Sequence, residues 1–491
     1  MSDKHVVGSV AYEAADDEYF EKRQLKRHAR VWSLWALGVG AVISGDFFGW
    51  NFGLAAGGFG GLLIATGIIT IMYLGLCYSI AEMCPALPHT GGAYSFGRSA
   101  MGPWGGFITG LGENIEYVLT PAVIVVGIGG YLGAIFGTPD SFDPVWWAMA
   151  YAAFVGLNVW GVEATFKFAL VVTFVALAIL LVFYVGAAQH FSWEMATNIR
   201  PDPGNSRFLP RGVLGIAWAL PFAIWFYLAI EELPLAAEES HDPKRDMPKG
   251  ILYGISTLII CAFLTLFLNA GIAPGAAAVG ESDEPLFLAF ETIFGGGVGT
   301  RLLSLIAVAG LVASFHTIIY AYGRNIYSLS RAGYFPRWMS VTHSTRKTPH
   351  VALVVGALVG YLVALLIHFS DALFGSVPVG AILLNMAVFG AVISYCLQMV
   401  SFILLRKNLP DIQRPFRSPL GNTGAWCALV ISALTLIFLF ANPDYRVGVW
   451  GCAIWYGLGL LYFGLVGRKR LVYSPEEDFA VRQRQAAGLE R

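Results

Sequence analysis

Long apolar stretches separated by short polar segments follow one another along nearly the whole chain after residue 30. A helix needs about 20 consecutive apolar residues to cross the hydrocarbon core of a bilayer. By that length the pattern predicts twelve membrane-spanning helices, at residues 31–57, 60–84, 102–136, 144–161, 165–188, 211–240, 250–273, 300–330, 350–368, 378–405, 424–441 and 447–467. We therefore expect an all-α membrane protein with twelve transmembrane helices.

Two of these stretches have the composition of interrupted helices. Glycines crowd the middle of residues 31–57, around the Ser-Gly-Asp sequence at 44–46, and the long stretch 211–240 contains Pro221. Interrupted helices at corresponding positions of two halves are typical of transporters built from inverted repeats, with a binding site near the midplane. Because spans 1 and 6 each begin a set of five, the spacing predicts a five-plus-five inverted repeat with broken helices 1 and 6, plus two extra helices.

The same spacing divides the chain into five segments. They are an N-terminal tail (1–30), a first repeat with helices 1–5 (31–188), a second repeat with helices 6–10 (211–405), helices 11 and 12 (424–467), and a C-terminal tail (468–491). With the N-terminus in the cytoplasm, 26 of the 31 Lys and Arg residues fall on the cytoplasmic side and 5 on the outer side. Since short cytoplasmic loops carry an excess of positive charge, both termini are predicted to be cytoplasmic.

Composition agrees with a membrane protein and excludes several other classes. Hydrophobic residues make up 56% of the chain and charged residues 13%, whereas soluble domains have about 25% charged residues. The six cysteines have no metal-binding spacing and are predicted to pack as small apolar residues. No phosphate-binding loop, zinc-protease motif or nucleophile elbow occurs. We therefore predict neither an ATP-driven pump nor an enzyme, and no cofactor, metal or nucleic-acid partner.

Three acidic residues lie near the middle of apolar stretches: Asp46, Glu116 and Glu231. A charge at the bilayer centre costs about 2.5–3.5 kcal/mol even on lenient insertion scales. No Lys or Arg occurs at a similar depth in the apolar stretches, so these acids have no evident positive partner. The best candidate for that partner is a cationic substrate.

Four motifs, in the right order, resemble the amino acid–polyamine–organocation (APC) superfamily of transporters. They are AEMCPALPHTGGAYSFGRSAMGPWGGFITG between spans 2 and 3, AAEESHDPKRDMPKGI after span 6, SLSRAGYFPRWMSVTHSTRKTPHVAL between spans 8 and 9, and LLRKNLPDIQRPFRSPLG after span 10. The resemblance extends over nearly the whole chain. It implies the five-plus-five repeat with two extra helices, and a secondary transporter in the plasma membrane, such as a bacterial inner membrane.

One position departs from the superfamily pattern. Amino acid carriers of the superfamily usually have Gly-(Ser/Thr)-Gly at the break in helix 1, where backbone amides hold the substrate carboxylate. Here the same positions read Ser44, Gly45 and Asp46. A carboxylate at that place repels a substrate carboxylate and attracts an ammonium. The stretch ISGDFFGWNFGLAAGGFGG most resembles the ethanolamine permeases, whose substrate has no carboxylate. As an alternative, Asp46 caps a second half-helix that begins at Phe47.

Further candidate residues lie on the helices that the resemblance places around the substrate. The substrate-binding candidates, besides the three residues of the helix 1 break, are Glu116, Tyr117, Trp225, Phe226 and Tyr227. The gating or coupling candidates are Glu231, Glu113, His316 and Phe47. Aromatic faces attract ammonium groups, but ordinary packing or hydrogen-bonded burial is the alternative for each of these residues. Glu232, Glu238 and Glu239 are expected to be solvated, or paired with Lys244 and Arg245.

The predicted function is import of ethanolamine or a similar small amine across the plasma membrane by alternating access. An amino acid or polyamine permease or exchanger of the same superfamily is the alternative, and a substrate sensor that does not transport is a further one. The coupling ion, a proton or sodium, is left open.

Overall fold

The computed structural model describes residues 4–489 except 8, 14, 283, 296, 371–372 and 374–378. Helices dominate these residues. In chain order they are α1 (Asp17–Glu21), α2 (Val31–Val42), α3 (Ser44–Phe47), α4 (Phe52–Ala86), α5 (Ala93–Phe136), α6 (Asp143–Trp160), α7 (Val162–Ala188), α8 (Trp193–Ala196), α9 (Gly212–Ile224), α10 (Pro243–Ala270), α11 (Ala276–Glu281), α12 (Pro285–Phe294), α13 (Val298–Arg331), α14 (His350–His368), α15 (Val379–Asn408), α16 (Gly421–Ala441), α17 (Arg446–Leu465) and α18 (Pro475–Ala486). Tighter 3-10 segments occur at Asp140–Phe142, Ile230–Glu239, Arg337–Ser340, Pro443–Tyr445 and Gly467–Lys469.

Eight helices within the described residues are long and apolar enough to cross a membrane: α4, α5, α7, α10, α14, α15, α16 and α17. Shorter apolar helices lie at Val31–Phe47, α9 and α12. A helical membrane protein is therefore confirmed. The count of twelve spans and the five-plus-five repeat stay predictions.

The first predicted span is broken, but not where the sequence suggested. Residues 44–46 lie inside the short helix α3, and α4 begins only at Phe52. The chain between them is extended at Phe48 (φ −162°) and left-handed at Gly49 (φ +93°), a conformation that glycine adopts without steric cost. A kink at Gly58 (φ +73°) then turns the chain into the long part of α4.

The second predicted break is confirmed. Helix α9 ends at Ile224, the chain reaches a left-handed conformation at Ala229 (φ +84°), and the 3-10 segment begins at Ile230. The two breaks are in direct contact, because a Cβ atom on Gly45 would lie 1.9 Å from the carbonyl oxygen of Trp225. Only glycine permits this approach, and it brings α3 against the break in the sixth span.

The two ends of the described chain, in the predicted terminal segments 1–30 and 468–491, fold against the helices. Strands β1 (Lys4–Val7) and β2 (Val10–Glu13) form an antiparallel hairpin, and β3 (Leu471–Val472) pairs in parallel with β2. Helix α18 follows β3 and packs on α5. Both ends therefore lie on the same side of the helical body.

Candidate functional site

Asp46 is fully buried (0% exposed) between the two helix breaks and α10. Its Oδ1 accepts a hydrogen bond of 3.0 Å from the hydroxyl of Thr265. Its Oδ2 has no hydrogen-bond partner among the described residues. The capping alternative is wrong, because Phe47 belongs to α3 and the next helix starts five residues later, at Phe52. The carboxylate thus keeps one oxygen available in the interior.

Hydroxyl groups surround the Asp46 carboxylate. The Thr265 hydroxyl is hydrogen-bonded to the hydroxyl of Tyr184 at 2.9 Å. Tyr227 lies close enough to Asp46 for an electrostatic interaction, and its hydroxyl is hydrogen-bonded to that of Thr70 at 2.7 Å. These groups can both donate and accept, so the surroundings of Asp46 suit a small substrate with polar groups besides its charge.

A second group of acids joins α5 to the 3-10 segment after the sixth-span break. Glu116 and Glu231 are both buried and interact electrostatically. The hydroxyl of Tyr395 donates to Oε1 of Glu231 at 2.7 Å and is hydrogen-bonded to the Tyr73 hydroxyl at 3.0 Å. Glu116 and Glu231 lie within hydrogen-bonding reach of each other, and neither oxygen of Glu116 has another partner in the described part of the chain. The two carboxyl groups are therefore placed to share a proton.

Glu113 and Tyr117 are engaged with each other. The Tyr117 hydroxyl donates to Oε1 of Glu113 at 3.4 Å, and the amide of Asn325 donates to Oε2 at 3.3 Å. The amide of Asn114 donates in turn to Asn325 at 3.2 Å. This network links α5 to α13. Glu113 is therefore hydrogen-bonded within the protein, as the alternative to a gating or coupling role predicts.

The three aromatic candidates of the sixth span have different surroundings. The indole of Trp225 lies beside Gly49, where an added Cβ would be 3.3 Å from the ring. The ring of Phe226 stacks on Trp50 with centroids 5.4 Å apart. Of the three, Trp225 and Tyr227 adjoin the first break and Asp46, whereas Phe226 has the contacts of a packing residue.

The candidate gate Phe47 is buried against α13, since a Cβ on Gly310 would lie 2.6 Å from its ring. Its neighbour Phe48 lines a cavity of about 360 Å³ together with Phe52. The ring of Phe48 lies 6.4 Å from that of Trp225. Phe48 therefore adjoins both the cavity and the ring of Trp225, whereas Phe47 packs on α13.

His316 lies among α6, α7 and α13. Its Nδ1 is hydrogen-bonded to the Asn158 amide and its Nε2 to the Thr165 carbonyl, both at 3.2 Å. His316 is therefore hydrogen-bonded on both ring nitrogens, as expected for a buried packing residue and not for a coupling residue. Ser44 is also engaged, because its amide donates to the hydroxyl of Ser314 at 3.1 Å.

Sequence reasoning missed the hydroxyl groups of the site. They are Thr70, Tyr73, Tyr184, Thr265 and Tyr395. Threonine and tyrosine occur throughout the apolar stretches, so no local signal separates these from the others. Acidic residues are rare at such positions, which is why the sequence pointed to Asp46, Glu116 and Glu231.

Comparison with known protein families shows the family of the chain. The family model of the amino acid permeases matches residues 34–466. The chain belongs to the amino acid permease family. Its predicted membership in the APC superfamily is thereby confirmed, and the protein is a transporter of this family. The apolar helices agree with a multi-pass protein of the plasma membrane.

Several relatives align with this permease over most of their length. The branched-chain amino acid permease BcaP of Bacillus subtilis is 27% identical over 483 residues, which are 91% of this chain and 94% of that protein. The D-serine/D-alanine/glycine transporter of Escherichia coli is 23% identical over 478 residues, 93% and 97% respectively. The methylthioribose transporter of B. subtilis is 25% identical over 478 residues, 91% and 95% respectively.

Glu232, Glu238 and Glu239, which follow Glu231 in the permease, have other surroundings than the sequence predicted. Glu238 pairs with Arg331 at 2.5 Å, and Glu239 pairs with Arg324 at 2.8 Å, both from α13 and not from the loop after span 6. Glu232 is neither solvated nor paired, because it is buried and its two oxygens have no hydrogen-bond partner in the residues described. The prediction for all three residues is wrong: arginines of α13 pair with Glu238 and Glu239, and Glu232 is buried in the interior.

A buried ion pair joins α5 to the C-terminal helix α18. Arg98 of α5 pairs with Glu477 of α18 at 2.7 Å, with both side chains fully buried. The hydroxyl groups of Tyr12, Tyr94 and Tyr334 all donate to the Glu477 carboxylate. Burial, and then the charge of Glu477, raise the pKa of Tyr12. This cluster fixes β2 and α18 to the helical body.

One group of possible metal ligands in the described residues consists of His89, Glu238 and Glu476, whose ligand atoms lie within 4.8 Å of one another. The guanidinium of Arg331 already bridges the two carboxylates, at 2.5 and 2.8 Å. The place of a cation is therefore taken by an arginine. Burial lowers the pKa of His89, which favours the neutral ring beside Arg331.

The hydrogen bond from Tyr395 to Glu231 gives a testable prediction. We expect Tyr395→Phe to lower the free energy of unfolding by about 1 kcal/mol, because a buried carboxyl group loses a donor. Tyr456→Phe is the matched control, since the Tyr456 hydroxyl is buried without a partner in the described chain. Thermal unfolding of the purified permease measures both, and equal midpoints for the two variants would contradict the prediction.

Proposed function

We propose that the permease carries a small organic ammonium compound without a carboxylate, such as ethanolamine, into the cell by alternating access. The observation that carries this proposal is Asp46, a fully buried carboxylate with one free oxygen at the contact between two helix breaks. The residues that we assign to the ammonium are Asp46, Trp225 and Tyr227.

The charge of the site supports an ammonium substrate. A buried carboxylate is stable only when it is paired or hydrogen-bonded, and Thr265 supplies one hydrogen bond. An ammonium between Asp46 and the ring of Trp225 would supply the missing charge, and a desolvated cation over an aromatic face gains about 2 kcal/mol. The Tyr184 and Thr265 hydroxyls are then available to the hydroxyl of an amino alcohol.

An amino acid is the second candidate, and the relatives favour it. Their names include a branched-chain amino acid permease and a D-serine/D-alanine/glycine transporter. One relative of comparable identity transports methylthioribose, so identities near 25% leave the substrate open. An amino acid would need amides for its carboxylate, but the Ser44 amide is bonded to Ser314 and Asp46 would repel the carboxylate. The geometry therefore favours the substrate without a carboxylate.

The proposed transport cycle uses the two breaks as moving parts. The substrate enters through the cavity lined by Phe48 and passes that ring to reach Asp46. Rotation of the broken helices against their neighbours then opens the opposite side. Glu231 takes part in this step because its bond to Tyr395 ties the second break to α15.

A panel of ligands tests the proposal. A ligand that binds the native state raises the apparent stability, by about 2.7 kcal/mol at a hundredfold excess over its Kd. We expect ethanolamine to raise the unfolding midpoint of the purified permease, and alanine, which carries a carboxylate, to have little effect at the same concentration. Stabilisation by alanine but not by ethanolamine would replace the proposal with the amino acid alternative. Uptake of labelled ethanolamine into proteoliposomes separates a transporter from a sensor, which would bind without accumulation.

A further inference from the structure

A basic cavity of about 460 Å³ lies where the loop after α15 meets the start of α16. The residues that matter for its chemistry are Glu82, Arg406, Arg414, Arg417, Ser418 and Asn422. The cavity is far from the proposed substrate site in the fold, at the end of α4 on the side where the two chain ends lie. None of these residues takes part in the proposed transport steps.

The charges that line the cavity do not cancel. Three guanidinium groups face one carboxylate, that of Glu82, which leaves two positive charges in excess. Glu82 is bonded to Arg406 at 2.9 Å and to Arg414 at 3.2 Å, so both are held in place. The other nitrogens of Arg414 donate to backbone carbonyl oxygens at 2.9–3.0 Å, so this residue contributes its charge, and direct hydrogen bonds to a ligand fall to Arg406 and Arg417. Burial, together with Arg406 and Arg417, lowers the pKa of Arg414 in spite of Glu82. Arg417 is exposed and makes no hydrogen bond within the described residues.

A buried hydroxyl group gives an independent indication of a ligand. Ser418 is only 7% exposed and lines the cavity, yet its Oγ has no hydrogen-bond partner in the described part of the chain. Its amide donates to Glu82 at 2.7 Å, which fixes the backbone at this point. Buried hydroxyl groups are nearly always satisfied in native proteins. An acceptor in the cavity would satisfy this one.

The start of α16 adds to the attraction for an anion. This helix has 21 residues, and Asn422 in its first turn lines the cavity. A helix N-terminus offers free amide groups and the positive end of the helix dipole. Guanidinium groups match the geometry of phosphate oxygens and bind them in pairs. The ligand with this chemistry is a phosphate group.

The apolar surface beside the cavity indicates the source of that phosphate. Leu420, Trp426 and Val430 of the same region are exposed large apolar side chains, as expected for a surface that contacts lipid tails. Basic pockets at the ends of membrane helices are places where anionic headgroups bind. We propose that the cavity formed by Arg406, Arg414, Arg417 and Ser418 binds the phosphate of an anionic phospholipid headgroup.

The test compares short-chain phosphatidylglycerol, short-chain phosphatidylcholine and glycerol 1-phosphate as additives to the purified permease in detergent. We expect phosphatidylglycerol to raise the unfolding midpoint, and the other two to have no effect at equal concentration. The variant Arg417→Gln should weaken the apparent affinity for phosphatidylglycerol about tenfold, since one charge-assisted hydrogen bond is lost. Ser418→Ala should weaken it several-fold without any change of charge.

Lys407→Gln is the matched control, because Lys407 is exposed, adjoins Arg406 in the chain and does not line the cavity. It should retain the affinity of the unaltered permease, and Arg417→Lys should restore part of what Arg417→Gln loses. Equal stabilisation by phosphatidylglycerol and phosphatidylcholine, or equal loss in Lys407→Gln and Arg417→Gln, would overturn the proposal. Stabilisation by glycerol 1-phosphate alone would mean that the cavity binds a soluble phosphate ester and not a phospholipid, which would overturn the proposal.

Discussion

Asp46→Asn should abolish high-affinity binding of a small ammonium substrate while the permease stays folded. The substitution keeps the size of the side chain but removes the only charge that we assign to the ammonium. Removing one partner of a buried ion pair leaves the other without compensation and costs about 3–5 kcal/mol. That range corresponds to a loss of affinity of about a hundredfold or more. The measurement is the concentration dependence of the unfolding midpoint on added ethanolamine.

The stability of the ligand-free variant provides the control for folding. Asp46→Asn should unfold at the same temperature as the unaltered protein or a higher one, because a buried charge with one hydrogen bond is costly. Glu163→Gln removes an exposed carboxylate that pairs with Lys167, and it should leave ethanolamine binding unchanged. If Asp46→Asn kept the affinity of the unaltered permease, Asp46 would not be the ammonium ligand.

Arg98→Met is expected to be strongly destabilising, by about 3–5 kcal/mol. The reason is that Glu477 would stay buried without its cation, surrounded only by hydroxyl donors. The expected result is a lower unfolding midpoint and a lower yield of folded protein in the membrane. Substrate affinity of the fraction that folds should be unchanged, because this pair joins the start of α5 to α18 and does not contact Asp46.

A matched control for this variant lies on the same helix as Glu477. Arg482 pairs with Asp478 at 2.7 Å, but both side chains are exposed, and such pairs contribute about 0.3–0.5 kcal/mol. Arg482→Met should therefore change the unfolding midpoint very little. Similar midpoints for Arg98→Met and Arg482→Met would mean that the buried pair does not hold the ends together.

The apolar stretches predicted the helices well because length and hydrophobicity are local properties of the sequence. The break in the sixth span was also predictable, since Pro221 and the polar residues after Ile230 interrupt a local pattern. The break in the first span was predicted at the wrong residues, because a residue distant in the sequence stabilises helical structure at Ser44–Phe47. Ser314 of α13 bonds the Ser44 amide and the Gly40 carbonyl, and α3 forms there.

Contacts between distant segments explain the other differences. The partners of Glu238 and Glu239 come from α13, so their loop neighbours were a poor guide. The strand pairing of Tyr12 with Leu471 joins one residue before and one residue after the part of the chain that matches the permease family, residues 34–466. A carboxylate in an apolar stretch is conspicuous in a sequence, and Asp46 was found for that reason. The Thr265 hydroxyl that bonds it has no such local mark.

The pairing of β2 with β3 also bears on how the permease is made in the cell. The Tyr12 hydroxyl is bonded to Glu477, which is synthesised 465 residues later. All the membrane helices are synthesised after the β1–β2 hairpin and before β3. Until β3 is made, β2 has an unpaired edge that can pair with other strands. Completion of this sheet is thus one of the last steps of assembly. A protease that cuts the β1–β2 hairpin only while it is unpaired would distinguish newly made molecules that have completed the sheet from those that have not.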